Sequence, residues 1–182
     1  MIQEFDIWLE RLSALHKSQM RQAASSEGLQ LVHVEILKYL SISNRYSNTA
    51  QAMSEYLGQT KGSISQSIKF LENNRYIKRK ACKEDGRITR LFLTDKAKRC
   101  LNRISDFLMP RSEETNDASQ VIKALLANWQ QKNNQQGFGL CQTCRFNRAL
   151  DGGQFQCGLT KAPLSSDEVK LICREHEFAH EL

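Results

Sequence analysis

The hydrophobic spacing of this chain changes period near residue 75, and that change limits the fold more than any other feature. Before it, Ile64, Ile68 and Leu71 stand at i, i+4 and i+7, one apolar stripe on a helix that opens near Thr60. After it, residues 76–81 and 88–93 read as two strands. Between them lies Lys83-Glu84-Asp85-Gly86-Arg87, whose central Asp-Gly suits a tight reversal, so the pair is a hairpin. A short helix over residues 50–56 comes first, with Asn48 or Thr49 as its cap and Gly58 as its stop. A short helix, a tight turn, a second helix with a polar free face and a hairpin, in that order, predict a winged helix-turn-helix.

The flanks are helical. Apolar residues recur at helical spacing through residues 2–24, and Ser25-Ser26-Glu27-Gly28 breaks the pattern. A mostly apolar helix follows over residues 29–40. Thr94 is placed to cap a fifth helix with Ala97, Leu101, Ile104 and Leu108 as its stripe, which Pro110 ends. A polar link over residues 111–118 leads to a sixth helix, residues 119–131, with Val121, Ile122, Leu125, Leu126 and Trp129. The expected class is therefore mainly α with a small β-hairpin wing. Its expected divisions are an N-terminal helix (1–28), the winged domain (29–109), a further helix with a polar hinge (110–136) and a cysteine-rich module (137–182).

Charge placement points to a partner. Thirteen Lys or Arg face four Asp or Glu between residues 60 and 103, a net of +9, whereas residues 137–182 carry five against six, a net of −1. A basic block in a nearly neutral remainder suits an anionic polymer. The free face of the helix after Thr60 carries Lys61, Ser63, Ser65, Gln66 and Lys69, short polar and basic groups able to reach base edges in a major groove. Its first turn offers backbone amides to phosphate. The hairpin tip offers Lys83 and Arg87 to the neighbouring backbone or minor groove.

The stretch YLGQTKGSISQSIKFLENNRYIKRKACKEDGRITRLFLTDKAKRCL resembles the MarR family of bacterial transcription regulators. It has that family's Leu-Gly turn, a recognition helix ending in Leu-Glu, a basic strand, an Asp-x-Arg wing tip and a strand closing on Leu-Thr before a long helix. The likeness is strongest over residues 29–105. It implies that Thr60, Lys61, Ser63, Ser65, Gln66 and Lys69 meet the major groove or its phosphates. It also implies that Arg87, oriented by Asp85, reaches from the wing. The resemblance further implies a homodimer on a pseudo-palindromic duplex, with the helices in 1–28 and 110–136 as its dimerisation helices, its recognition helices roughly 34–36 Å apart, and a small-molecule effector as a further partner of the family. Two departures stand out. Arg75 occupies a position where the family usually has Gly, so Asn73 or Asn74 is expected to take the left-handed turn, and Gly62 replaces a frequent Ser.

The tail is outside that pattern. Cys141-x2-Cys144 is a chelate spacing, followed by Cys157 and Cys173. Four thiolates can close a tetrahedron around zinc or hold an iron–sulfur cluster. A module of about 40 residues is too small to stand on burial alone, so bound metal would supply the missing stability. Zinc, structural or sensory, is the expected cofactor and an iron–sulfur cluster the alternative. Asp151-Gly152-Gly153 reads as a hairpin turn. Phe146, Phe155, Leu159 and Leu164 form an expected mini-core, and a final helix carries Val169, Leu171, Ile172 and Cys173. His176 and His180 near the end of that helix are expected at the surface. Cys100 is expected in a core and Cys82 as an ordinary wing residue.

No apolar run approaches the ~20 residues needed to span a bilayer, and the N-terminus lacks a basic-then-apolar leader. The reading is a cytoplasmic chain with reduced cysteines. A dithiol oxidoreductase would want a βαβ setting around Cys-x2-Cys, and none is visible, so an enzyme is not expected. A metal-free thiol switch and an adaptor that has lost DNA binding are the remaining alternatives.

Overall fold

The computed structural model describes residues 4–82, 85–105, 114–133, 135 and 137–178. The expectations for Lys83, Leu108, Pro110 and His180 lie outside them. The chain divides into two compact units, Met1–Ser41 with Thr60–Arg111, and Ile42–Gln59 with Ser112–Leu182.

The first unit holds α1 (Glu4–Ser26), α2 (Leu31–Ile42, ending at the unit boundary), α4 (Lys61–Asn73), the β1–β2 hairpin (Ile77–Ala81 and Thr89–Leu93) and α5 (Asp95–Ser105). Its core draws one stripe from each helix. Val34, Ile36 and Leu37 of α2, Ile64, Ile68 and Leu71 of α4, and Ala97, Cys100 and Ile104 of α5 are buried, as are Ile77 and Leu91 of the hairpin. The strands are antiparallel in a register that pairs Ile77 with Leu93 and Ala81 with Thr89. α1 is anchored at its C-terminal end, where Glu27 receives both Arg103 nitrogens, Nε and Nη2, at 2.6 Å each. Cys100 lies in this core as expected, and burial beside Glu27 pushes its thiol up to about 11. Toward its N-terminus α1 is different: Phe5, Ile7, Trp8, Leu9, Leu12 and Leu15 are all exposed.

The end of α4 departs from expectation. Asn74 has φ −89° and Arg75 itself takes the left-handed conformation, φ 59°. The Arg75 amide donates to the Glu72 carbonyl, and the Arg75 carbonyl accepts from the Thr94 hydroxyl at 2.8 Å, so the turn is held from both sides. A side chain in that region costs about 1–2 kcal/mol, part of which glycine regains as extra freedom of the unfolded chain. Arg75→Gly is therefore expected to stabilise the fold by about 0.5–1 kcal/mol, read as a raised denaturant midpoint at unchanged slope.

His33 is buried with its ring stacked on Phe70, centroids 4.2 Å apart, and its Nδ1 accepts from the Gln30 amide. Burial lowers its pKa below the ordinary 6.5. The folded state thus binds fewer protons, and this contribution to stability is full above about pH 6.5 and is lost as pH falls toward the folded value. Stability measured between pH 8 and 5 is expected to drop on the acid side, and His33→Gln to flatten the drop.

The second unit holds α3 (Ala50–Leu57), α6 (Glu114–Lys132) and a small β module. Thr49 caps α3 by accepting from the Ala52 amide, and Gly58, at φ 61°, ends it. α6 starts at Glu114, inside the expected polar link, and Val121, Ile122, Leu125, Leu126 and Trp129 are all exposed on it. In the module, β3 (Gly139–Leu140) pairs with β7 (Ile172–Cys173), and β4 (Asn147–Leu150), β5 (Gln154–Cys157) and β6 (Pro163–Leu164) form a three-stranded antiparallel sheet. The Asp151-Gly152-Gly153 turn joins β4 to β5, both glycines at φ 73°.

Two expectations for the module, the final helix and a surface His176, fail, and the expected mini-core holds only for Phe155 and Leu164. The final helix is a single tight turn, Glu168–Lys170, followed by strand β7, because Ile172 and Cys173 are drawn into pairing with Leu140 and Gly139. The mini-core consists of Cys141, Leu164 and Val169 with Phe155 and Cys157 against it, whereas Leu159 is exposed. His176 is buried at 2 % exposure and lies in no helix. Its Nε2 pairs with the Thr143 hydroxyl at 2.9 Å, and its ring fills the space beside Gly139, where a Cβ would stand 2.7 Å from it.

Candidate functional site

α4 and the hairpin present one set of candidate residues. Thr60 caps α4, its hydroxyl accepting from the Ser63 amide at 3.2 Å. With Ile64, Ser67, Ile68 and Leu71 inward, Lys61, Ser65, Gln66 and Lys69 are exposed and Ser63 is half-buried. The face left to solvent is thus the polar and basic one, rich in hydroxyl and amide groups of base-edge reach.

The wing tip is built around one carboxylate. Asp85 Oδ1 accepts from the backbone amide and Nε of Arg87, and Oδ2 accepts from Nη2, all at 3.0 Å. The Ile88 amide donates to the Asp85 carbonyl, closing the turn. These bonds hold the Asp85 carboxyl below its ordinary range and raise the Arg87 guanidinium. Arg87 is 90 % exposed at its side chain, so it projects from the tip with its plane set by Asp85. Some members of the basic block are spent elsewhere: Arg79 donates to Glu72 at 2.8 Å, and Arg103 to Glu27.

Residues 27–88 match the model of the MarR family. The matched segment runs from the end of α1 to the tip of the MarR-like wing. Solved structures show the same fold. A MarR transcriptional regulator from Methanosarcina mazei is 17% identical at a TM-score of 0.58, covering 71% of this chain and 99% of that one. Wild-type MarR from E. coli is 11% identical at 0.56, covering 69% and 99%. CouR from Rhodococcus jostii, solved with p-coumaroyl-CoA, is 14% identical at 0.54, covering 68% and 90%. No protein of curated function matches the chain. Among the described residues no helix is long and apolar enough to cross a membrane.

The second candidate site lies in the cysteine module. Cys141, Cys144, Cys157 and Cys173 line one cavity of about 50 Å³, together with Tyr46, Phe146, Leu159 and Glu175. The sequence spacing and the fold thus agree on which four thiols share a space. Among the described residues, however, no three His, Cys, Asp or Glu side chains are gathered so as to hold a metal ion as they stand. Burial, with the other three thiols nearby, pushes Cys141 up to about 11. Burial also raises Cys173, although the Asn44 side chain hydrogen-bonds its sulfur. Cys157 is lowered on balance: burial raises it, and hydrogen bonds from the Thr160 side chain and amide and the Leu159 amide outweigh that.

Sequence reasoning missed the residues that hold this module to the segment ahead of α3. The Asn44 amide donates to the Ile172 carbonyl at 2.9 Å. The Arg174 amide donates to the Ser47 hydroxyl at 2.8 Å, and its guanidinium grips Glu55 of α3 through Nε and Nη2 at 2.6 and 3.0 Å. Arg45 donates to Glu168 and to the Pro163 carbonyl. No local pattern signals these pairs, because the partners are 118 to 128 residues apart.

Proposed function

We propose that the chain is a dimeric transcription regulator of MarR type that binds pseudo-palindromic duplex DNA, and that its four-cysteine cavity is a metal centre with a structural or sensory role. The wing tip carries the reading: Arg87 is held by Asp85 and thrust into solvent with, among the described residues, Asp85 as its partner, and a phosphate or minor-groove edge suits the exposed guanidinium. The exposed Lys61, Ser65, Gln66 and Lys69 supply the major-groove face, with Thr60 and Ser63 at the helix start. The apolar stripes left exposed on α1 and on α6 are the surfaces that pair two copies. The p-coumaroyl-CoA bound by CouR supports a small-molecule effector as a further partner. Nothing in this arrangement calls for catalysis.

The test is binding of the full chain to a random duplex library at low and moderate salt, with selection of the bound fraction. Enrichment of an inverted repeat, with affinity falling steeply as salt rises, is the expected result. Absence of duplex binding at low salt overturns the reading.

A further inference from the structure

Resting on the DNA-binding reading, we propose that Arg174 of the cysteine module is a positioning residue for DNA recognition: it holds α3, the first helix of the helix-turn-helix, through Glu55 and the segment that leads into it. In a helix-turn-helix the second helix enters the major groove while the first crosses the phosphate backbone. Contacts to that backbone fix register and orientation, so what sets the pose of α3 bears on how the duplex is read. α3 cannot set that pose by itself. It has eight residues, and a helix so short is not stable alone.

The module grips it ahead of the first turn and on the last. Ahead of the helix, Ser43 bridges Ile172, and the Asn44 amide donates to the Ile172 carbonyl at 2.9 Å. The Arg174 amide donates to the Ser47 hydroxyl at 2.8 Å, and that hydroxyl donates to Asn44 Oδ1. Asn44 Oδ1 also accepts from the Tyr46 and Ser47 amides, so residues 44–47 form one locked and largely buried turn. On the last turn, Arg174 donates through Nε and Nη2 to the two carboxylate oxygens of Glu55, at 2.6 and 3.0 Å. The neighbouring Tyr56 ring meets buried Phe138 edge-on, centroids 5.2 Å apart.

Arg174 alone joins both grips, by its backbone to Ser47 and by its side chain to Glu55. An exposed ion pair holds little, but this one is a two-bond fork with side chains only 26% and 32% exposed. A fork on two oxygens of one carboxylate resists rotation of the helix that carries it. The hold continues past the helix end: the Ser54 hydroxyl donates to the Gln59 carbonyl at 2.6 Å, and the Gln59 amide donates back to the Ser54 carbonyl. Gln59 is the residue before Thr60, the cap of α4.

The experiment compares the full chain with Arg174→Glu, Glu55→Arg and the double exchange. It measures affinity for selected and random duplexes across salt, and amide hydrogen exchange over residues 43–57. Each single variant sets like charges against each other, and is expected to lose about five-fold or more in selected-duplex affinity and to speed that exchange by as much. The double exchange keeps the net charge of wild type and is expected to recover both to within about two-fold. Because a single reversal can unfold the module, Arg174→Lys is the second probe: it keeps the charge without the fork, and its loss is expected to lie between wild type and Arg174→Glu. Exchange over residues 43–57 that stays at the wild-type rate in both single variants overturns the grip. Faster exchange with unchanged selected-duplex affinity overturns its role in recognition. A loss that the double exchange fails to recover, with the salt slope lowered by about one ion, makes Arg174 a direct phosphate contact and overturns the positioning role. No duplex binding by wild type counts against the regulator reading alone, since the exchange rates still judge the grip.

Discussion

Leu126→Asp combined with Trp129→Asp is expected to turn the proposed dimer into a monomer and to weaken specific DNA binding by about 10²–10⁴-fold. Leu126 and Trp129 are 46% and 57% exposed on α6, in a stripe with Val121, Ile122 and Leu125. A stripe of five large apolar side chains is more than a solitary chain usually leaves to water. Each such side chain contributes about 1.5–3 kcal/mol when fully buried, and two carboxylates placed in that surface would have to be desolvated without partners. Two linked recognition helices engage two half-sites with the second contact made within one molecule, so a monomer forfeits that gain. Sedimentation equilibrium reads the mass, and anisotropy on the selected duplex reads the affinity. A dimer that persists in the double variant removes α6 from the interface.

Arg87→Ala is expected to cost about 1–3 kcal/mol of DNA binding, a loss of roughly 5- to 150-fold, and to lower the salt slope by about one ion. The geometry makes Asp85 an instructive second variant. Its carboxylate offsets the charge of Arg87 while setting the guanidinium plane through two bonds of 3.0 Å. Asp85→Asn removes that negative charge and loosens the plane. Nonspecific affinity is therefore expected to rise and discrimination between the selected and random duplexes to fall. If Arg87→Ala binds as wild type does at every salt concentration, the wing is not part of the interface.

How much of this was legible beforehand can be argued element by element. The stripe of Ile64, Ile68 and Leu71 predicted α4, and the change to period two with Asp85-Gly86 predicted the hairpin, because side-chain direction follows backbone period directly. Thr49, Gly58 and Thr60 marked helix ends because caps act over three or four residues. The Asp85–Arg87 pair was implied by the resemblance to the MarR family, and its partners stand only two residues apart. Arg75 was misjudged: residue preference favours Asn for a left-handed turn, but the bond from Thr94 fixes which residue must turn, and Thr94 arrives from the far end of the hairpin.

The tail shows the same boundary more sharply. Its cysteine spacing identified the four thiols that share a cavity, since chelate spacing is a local property. The expected last helix did not form, because the pairing of β7 with β3 is set by residues over thirty positions apart in the chain. What the sequence determined by itself was each segment's period, caps and charge, all of them interactions within a turn or two of chain. What only the tertiary structure decided was which side chains wall the cavity beside the cysteines, the burial of His176, and the grip of Arg174 on Glu55. Those depend on groups brought together by packing, whose pairing leaves no trace in local spacing.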